Sequence, residues 1–315
     1  MKKLRISILG SILLLGAALL LSGCGNNAAN TQNQSSESTS GSVKKLTVYT
    51  SFYPMYDFTK KIGGDKINLT NLVPAGTEPH DWEPTPSDIA NLEKADVLIY
   101  NGAGMESWMD KVLKSLNNQK LTTVEASKGL NLLKNPDKSE NLTNDPHVWL
   151  NPMLAKQEMG AIKNALANAD PANKDYYEKN YADNATHLDL LDLEYKSTVA
   201  KFSKKDIVVA HQAFGYLCNA YGLNQVAIEG LVADSEPSPA RMAEIVKFVQ
   251  EKKIKTIFFE ELVSPKVAQT IAQETGATTA ILNPIEGLTE SDQKAGKDYF
   301  SVMWDNLEVL KKALQ

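Results

Sequence analysis

Cysteine is almost missing from this chain: only Cys24 and Cys218 occur in 315 residues. No framework of disulfides can hold such a fold, so its stability has to come from burial. A basic surplus is missing too. The formal net charge of −5 argues against nucleic acid as a partner and makes a cation the more natural guest. Long apolar runs are absent after the one over 6–21, so nothing further along approaches the about 18 apolar residues of a membrane span. Histidine is the last scarcity, with four in the whole chain and none in 101–144.

The single apolar run has the context of an export signal. Lys2, Lys3 and Arg5 precede it, and Leu21-Ser22-Gly23-Cys24 closes it with small residues. An uncleaved anchor is the competing reading. The tetrapeptide resembles the bacterial lipobox, which implies that Cys24 receives lipid and becomes the first mature residue, tethering the chain to a membrane through its acyl groups. Cys218 is then the only free thiol, and no internal disulfide can form. The stretch 25–43 is rich in Asn, Gln, Ser, Thr and Gly and cannot bury enough surface to fold. A signal peptide over 1–23 and a lipidated, flexible tether over 24–43 are therefore expected.

The remaining body of roughly 270 residues is large enough to divide in two. Strand-like runs at 46–50, 67–73, 97–100 and 121–124 alternate with amphipathic stretches at 53–62, 86–94 and 106–116. A second series places strands at 207–210, 225–228, 256–259 and 279–282. Helices at 214–221, 239–252 and 266–274 separate them, and a last helix runs to Leu314. Repeated βα units predict a mainly parallel sheet flanked by helices in each half. Asp170-Pro171 opens a stretch without Pro or Gly until Gly215, which predicts one long helix over 171–202, about 45–50 Å at 1.5 Å per residue. Tyr177, Tyr181, Ala185, Leu188, Leu191, Tyr195, Val199 and Phe202 share one of its faces. The expected architecture is α/β: a 44–170 lobe and a 203–315 lobe joined by a rigid 171–202 helix. The alternative is a surface helix belonging to one domain.

Three of the four histidines stand in short motifs at turns: Pro79-His80-Asp81, Asp145-Pro146-His147 and Val209-Ala210-His211. Imidazole is the commonest metal ligand. His80, His211 and Glu286 each follow a predicted strand, where open parallel sheets bind ligands, and His147 lies on the loop before a helix beginning near Pro152. If the two carboxyl edges face one another, these four side chains meet across a cleft. Taken singly, each has a plainer reading. His80 then sits in an exposed turn with Trp82 packing separately, Asp145 merely ends a loop beside His147, and His211 bonds to backbone. Glu286 would then be a solvated turn carboxylate. His187, on the long helix, is read as a surface residue, and Cys218 as a small buried hydrophobe.

With Glu83-Pro84-Thr85-Pro86-Ser87-Asp88, Asp145-Pro146-His147-Val148-Trp149-Leu150, His211-Gln212-Ala213-Phe214-Gly215-Tyr216, Glu236-Pro237-Ser238 and Asn283-Pro284-Ile285-Glu286-Gly287-Leu288-Thr289, the chain resembles the zinc and manganese solute-binding lipoproteins of bacterial ABC importers. The likeness runs in motif order from about Leu46 to the carboxyl terminus. It implies metal held between two lobes by His80, His147, His211 and Glu286, and delivery to ABC permease subunits. It also implies a cell-membrane location on the extracytoplasmic face and a monomer with no enzymatic role. Three imidazoles and one carboxylate suit tetrahedral Zn(II), carried as cargo; Mn(II) prefers more oxygen. Members taken to be manganese-specific resemble this layout with a carboxylate where this chain has His211. Two departures stand out. The His/Asp-rich loop of many zinc members is absent from 101–144, and the extra carboxyl-terminal zinc domain of some relatives is expected to be missing. In some members water fills the fourth position, which leaves the role of Glu286 open. The alternatives are a manganese-binding member, a zinc hydrolase using Glu78, Asp81 or Glu229 as base, and a surface adhesin.

Overall fold

A computed structural model describes residues 44–135, 142–232 and 237–315. The leader, Cys24, the 24–43 tether and Glu236 lie outside the described residues. Among those described, no helix is long and apolar enough to cross a membrane.

The first sheet is built from β1 (Leu46–Thr50), β2 (Ile67–Asn71), β3 (Val97–Tyr100) and β4 (Thr122–Glu125), all parallel in the order β2-β1-β3-β4. Three helices connect them: α1 (Tyr53–Gly63), α2 (Pro86–Leu92) and α3 (Met109–Ser115). Val97, Leu98 and Ile99 are fully buried, as an unbroken apolar run must be when helices cover both sheet faces. Helix α2 starts where the sequence dictates. Pro86 sits in its first turn, and the Thr85 and Asp88 side chains each accept the other residue's backbone N–H.

Two long helices follow, α4 (Pro152–Ala169) and α5 (Lys174–Val199). The second sheet then repeats the plan of the first. Strands β5 (Asp206–Val209), β6 (Asn224–Ala227), β7 (Thr256–Phe259) and β8 (Thr278–Ile281) are parallel in the order β6-β5-β7-β8. Around them lie α6 (Gly215–Tyr221), α7 (Pro239–Lys252), α8 (Lys266–Thr275), a short α9 (Glu290–Lys294) and α10 (Tyr299–Leu314).

Two expectations shift. Residues 106–108 do not join α3, because the Glu106 carboxylate accepts from Ser51 Oγ at 2.6 Å, Asn101 N at 2.8 Å and Gly102 N at 2.9 Å. It anchors a loop instead of opening a helix. The long helix begins with a 3-10 turn at Pro171–Asn173 and is α-helical only from Lys174 to Val199. The Asp170 carboxylate is occupied by Asn173 Nδ2 at 2.7 Å and the Tyr177 hydroxyl at 2.8 Å, not by first-turn amides.

Even so, the 26 residues of α5 extend for about 39 Å and touch both halves. Asn180 Nδ2 donates to Ile62 O on α1 at 2.9 Å, while the Tyr195 hydroxyl donates to Met303 O on α10 at 2.7 Å. One apolar cluster runs through both lobes, with Phe52 edge-on to Trp149 at 5.0 Å and Phe58 edge-on to Tyr299 at 4.9 Å. Beside it Lys61 bridges Asp57 at 2.9 Å and Asp298 at 2.8 Å, tying α1 to the start of α10. A continuous hydrophobic junction of this kind restricts relative lobe motion. Glu158 on α4 is an oddity: it is completely buried and neither carboxylate oxygen has a hydrogen-bond partner. Burial, with Glu106 adding repulsion, drives its carboxyl well above the usual range, which favours the neutral form.

Candidate metal centre

The carboxyl edges of the two sheets bring His80, His147, His211 and Glu286 together, with one donor atom of each lying within 4.8 Å of the others. His147 Nε2 is 3.4 Å from His80 Nε2 and 3.2 Å from His211 Nε2. Glu286 Oε1 lies 2.9 Å from His147 Nε2, 3.3 Å from His211 Nε2 and 3.5 Å from His80 Nε2. Bonds of about 2.0–2.1 Å to a tetrahedral ion place its ligand atoms about 3.3 Å apart. The five separations cluster around that edge length. Glu286 Oε1 is buried without a hydrogen bond of acceptable geometry, the condition of an oxygen whose lone pair awaits a cation.

Each donor is aimed by its neighbours. The Asp145 carboxylate pairs with His147 Nδ1 at 2.8 Å and accepts the His147 backbone N–H at 2.9 Å. Glu260 pairs with His211 Nδ1. In both rings the carboxylate fixes the proton on Nδ1 and leaves Nε2 as the free donor, the arrangement that orients metal-ligating histidines and raises their basicity. Strand pairing explains the second pair. Val209 on β5 is in register with Phe258 on β7, so continuing two residues along both strands sets His211 beside Glu260. His80 is held through its backbone, donating to Glu78 Oε1 at 3.1 Å.

Glu286 is presented by a strained turn. Ile285, β-branched and fully buried, has φ 62°, a conformation such residues adopt only when their surroundings impose it. Here Asn283 Oδ1 accepts from Ile285 N at 2.7 Å, and Trp149 Nε1 donates to Pro284 O at 2.7 Å. A residue of the first half thus grips the turn that carries the candidate donor Glu286 of the second.

The electrostatics follow from burial and crowding. Burial disfavours charge on His147, but Asp145 and Glu286 outweigh it and hold its pKa above the ordinary imidazole value. For His211 the same opposition is won by Glu260 and Glu286, which raise its pKa well above that value. Burial would lift the Glu286 carboxyl, yet His211, His147 and His80 together hold it well below the usual range. Glu78 is pushed up to about 7 by burial and by the nearby Glu286 charge.

His187 stays apart, exposed on α5 with its ring edge-on to Phe300 at 5.6 Å. Cys218 is a buried free thiol, and Trp82 packs edge-on to Trp108 at 5.3 Å. Sequence reasoning gave Asp145 no role beyond ending a loop and passed over Glu260 and Ile285. Glu260 directly follows Phe259, the last residue of β7, so the strand-end rule that singled out His211 would have found it.

Fold and site together define a two-lobed α/β protein with a buried N3O metal pocket between parallel sheets. The family described as "Zinc-uptake complex component A periplasmic" matches residues 48–313, and the chain belongs to it. The chain is 42% identical over 319 residues to the high-affinity zinc uptake system protein ZnuA of Bacillus subtilis, covering 97% of each. It is 41% identical to the zinc-binding lipoprotein AdcA of Streptococcus pneumoniae, covering 85% of this chain and 56% of that longer relative. The crystal structure of the Zn(II)-bound ZnuA-like domain of S. pneumoniae AdcA superposes with a TM-score of 0.76 at 42% identity, covering 86% of this chain and 99% of that one. The family is one of transport proteins, not of enzymes.

Proposed function

We propose that this protein captures Zn(II) between its lobes and hands it to an ABC-type permease, working as a monomer held to the outer face of the cell membrane by lipid on Cys24. The observation that carries the reading is the cluster of donors described above, three imidazole nitrogens and one carboxylate oxygen, with five of their six separations at 2.9–3.5 Å and all within 4.8 Å. His80, His147, His211 and Glu286 are the ligands. A nitrogen-rich set with one negative charge favours Zn(II), whereas Mn(II) prefers more oxygen and a higher coordination number. Four side chains complete the sphere and leave no open position for an activated water, which supports carriage and not catalysis. The 44–170 and 203–315 lobes act as two jaws braced by the 171–202 segment. Because Cu(II) and Ni(II) bind such donors well by the Irving–Williams order, competition has to be read against Mn(II) and against metal content together. Protein purified without chelator should carry one zinc per chain and lose it to Mn(II) only at large excess. Equal preference for Mn(II), or no bound metal, would overturn the assignment. Cys24→Ala should release the protein into the medium; retention at the membrane would remove the lipid anchor from the account.

A further inference from the structure

We propose that Gly215 and Tyr216, on the second lobe, are positioning residues for His147 of the first half, acting through Asp145. The inference rests on the reading of His147 as a metal ligand. Asp145 is nearly sealed, 3% exposed, and both edges of its carboxylate are committed. Oδ1 serves the ring and the backbone N–H of His147. Oδ2 fits against Gly215, where a β-carbon would lie 2.4 Å from it. That approach is far closer than van der Waals contact allows, and the carboxylate cannot turn away without disturbing the two hydrogen bonds that its other oxygen makes to His147.

Gly215 is the first residue of α6 and is not among the residues with positive φ. Glycine is therefore needed here for clearance and not for backbone freedom, at a helical position where alanine has the better propensity. Next to it, the Tyr216 hydroxyl donates to Asp145 O at 2.8 Å and accepts from Leu133 N at 2.9 Å. Asp145 N in turn donates to Leu133 O at 2.9 Å. The backbone and side chain of Asp145 are thus gripped from across the lobe junction, and the direction of His147 Nε2 is set by the second lobe. This tie makes the pocket sense whether the lobes are correctly seated.

The test is Gly215→Ala in the full chain, read by zinc competition titration and by the downfield Nδ1–H proton resonance of His147 in the metal-free protein. Zinc affinity should fall about 10–100-fold, the loss typical of removing an outer-shell partner. The His147 resonance should move upfield while that of His211 stays. In an Asp145→Asn background the same change should cost little more, since both act through one contact. Tyr216→Phe, which adds no bulk, should shift the same resonance with a smaller loss of affinity. Gly160→Ala, whose new β-carbon would make only an ordinary 3.5 Å contact with the Tyr181 hydroxyl, should leave affinity within about twofold. Wild-type affinity and an unmoved resonance in both Gly215→Ala and Tyr216→Phe, or fully additive losses with Asp145→Asn, would overturn the proposal. If His147→Ala itself binds zinc like wild type, the ligand assignment falls and takes this inference with it. If His147 proves essential and Gly215→Ala is indifferent, only this inference falls.

Discussion

Replacing Glu260 by Gln removes one charge behind the metal pocket with almost no change of shape. Glu260 is 4% exposed and pairs with His211 Nδ1, so the substitution acts on that ring in two opposed ways. A neutral amide oxygen still accepts the Nδ1 proton but no longer raises the basicity of Nε2, which should weaken zinc binding at pH 8 by about 10–100-fold, or ~1.4–2.7 kcal/mol. The same charge also holds a competing proton. Burial disfavours the charged ring, while Glu260 and Glu286 raise the His211 pKa well above its ordinary value. Below that raised pKa, zinc has to displace a proton, and the wild-type dissociation constant rises up to about tenfold per pH unit for each proton displaced. His147, also raised, supplies a second proton, so the wild-type slope rises toward two as both rings become protonated. In Glu260→Gln burial is less opposed, the His211 pKa falls, and proton competition begins at lower pH. The affinity gap should therefore narrow as pH falls from 8 to 6. Competition against a chromophoric chelator at three pH values measures it. A constant gap, or a flat wild-type curve from pH 8 to 5, would refute the reasoning.

His211→Ala should weaken zinc binding beyond the about 10–100-fold of an outer-shell change, while His187→Ala should leave a calorimetric isotherm untouched; matching isotherms would mean the wrong histidines were chosen. Trp149→Phe removes the 2.7 Å bond to Pro284 O and strands a buried carbonyl. It should cost about 1–3 kcal/mol in denaturant unfolding and also lower zinc affinity through the Glu286 turn; unchanged affinity would show that the turn holds itself. Lys61→Met leaves the buried Asp57 without its 2.9 Å partner and should lower stability by about 3 kcal/mol, the lower end for breaking a buried pair because Lys61 is partly exposed. Burial raises the Asp57 pKa even beside Lys61. Protonation therefore relieves the unpaired charge as pH falls, and the Tm deficit should be smaller at pH 5 than at pH 8.

The strand ends of the two βα series were legible because β-branched and apolar runs bounded by turn residues mark them, and three of the pocket's donors lie on the loops that follow β2, β5 and β8. Histidine's scarcity made His80, His147 and His211 visible. Glu260 sits where the strand-end rule looks, directly after β7, but a carboxylate there is common, and its role beside His211 follows only from the pairing of β5 with β7. Glu106 fits a helical pattern by propensity, and only the three donors waiting at the ends of β1 and β3 turn it into a loop anchor. Nothing in Asn283-Pro284-Ile285-Glu286 announces a left-handed isoleucine, since tertiary contacts impose it against local preference. Glu158 was silent for a related reason: glutamate is a good helix former wherever it sits, and burial is not written in propensity.

The raised pKa of Glu158 has a consequence for how the protein meets acidity. A carboxyl whose folded pKa lies well above its unfolded value contributes stability that is complete below the unfolded value and is lost as pH rises through the folded one. His147 and His211 have the same sign in the metal-free state. The metal-free protein should therefore melt at a higher temperature in mild acid than in alkali, while zinc binding should tighten as the medium becomes more alkaline. Hydrogen ions and cargo take turns as the fold's support.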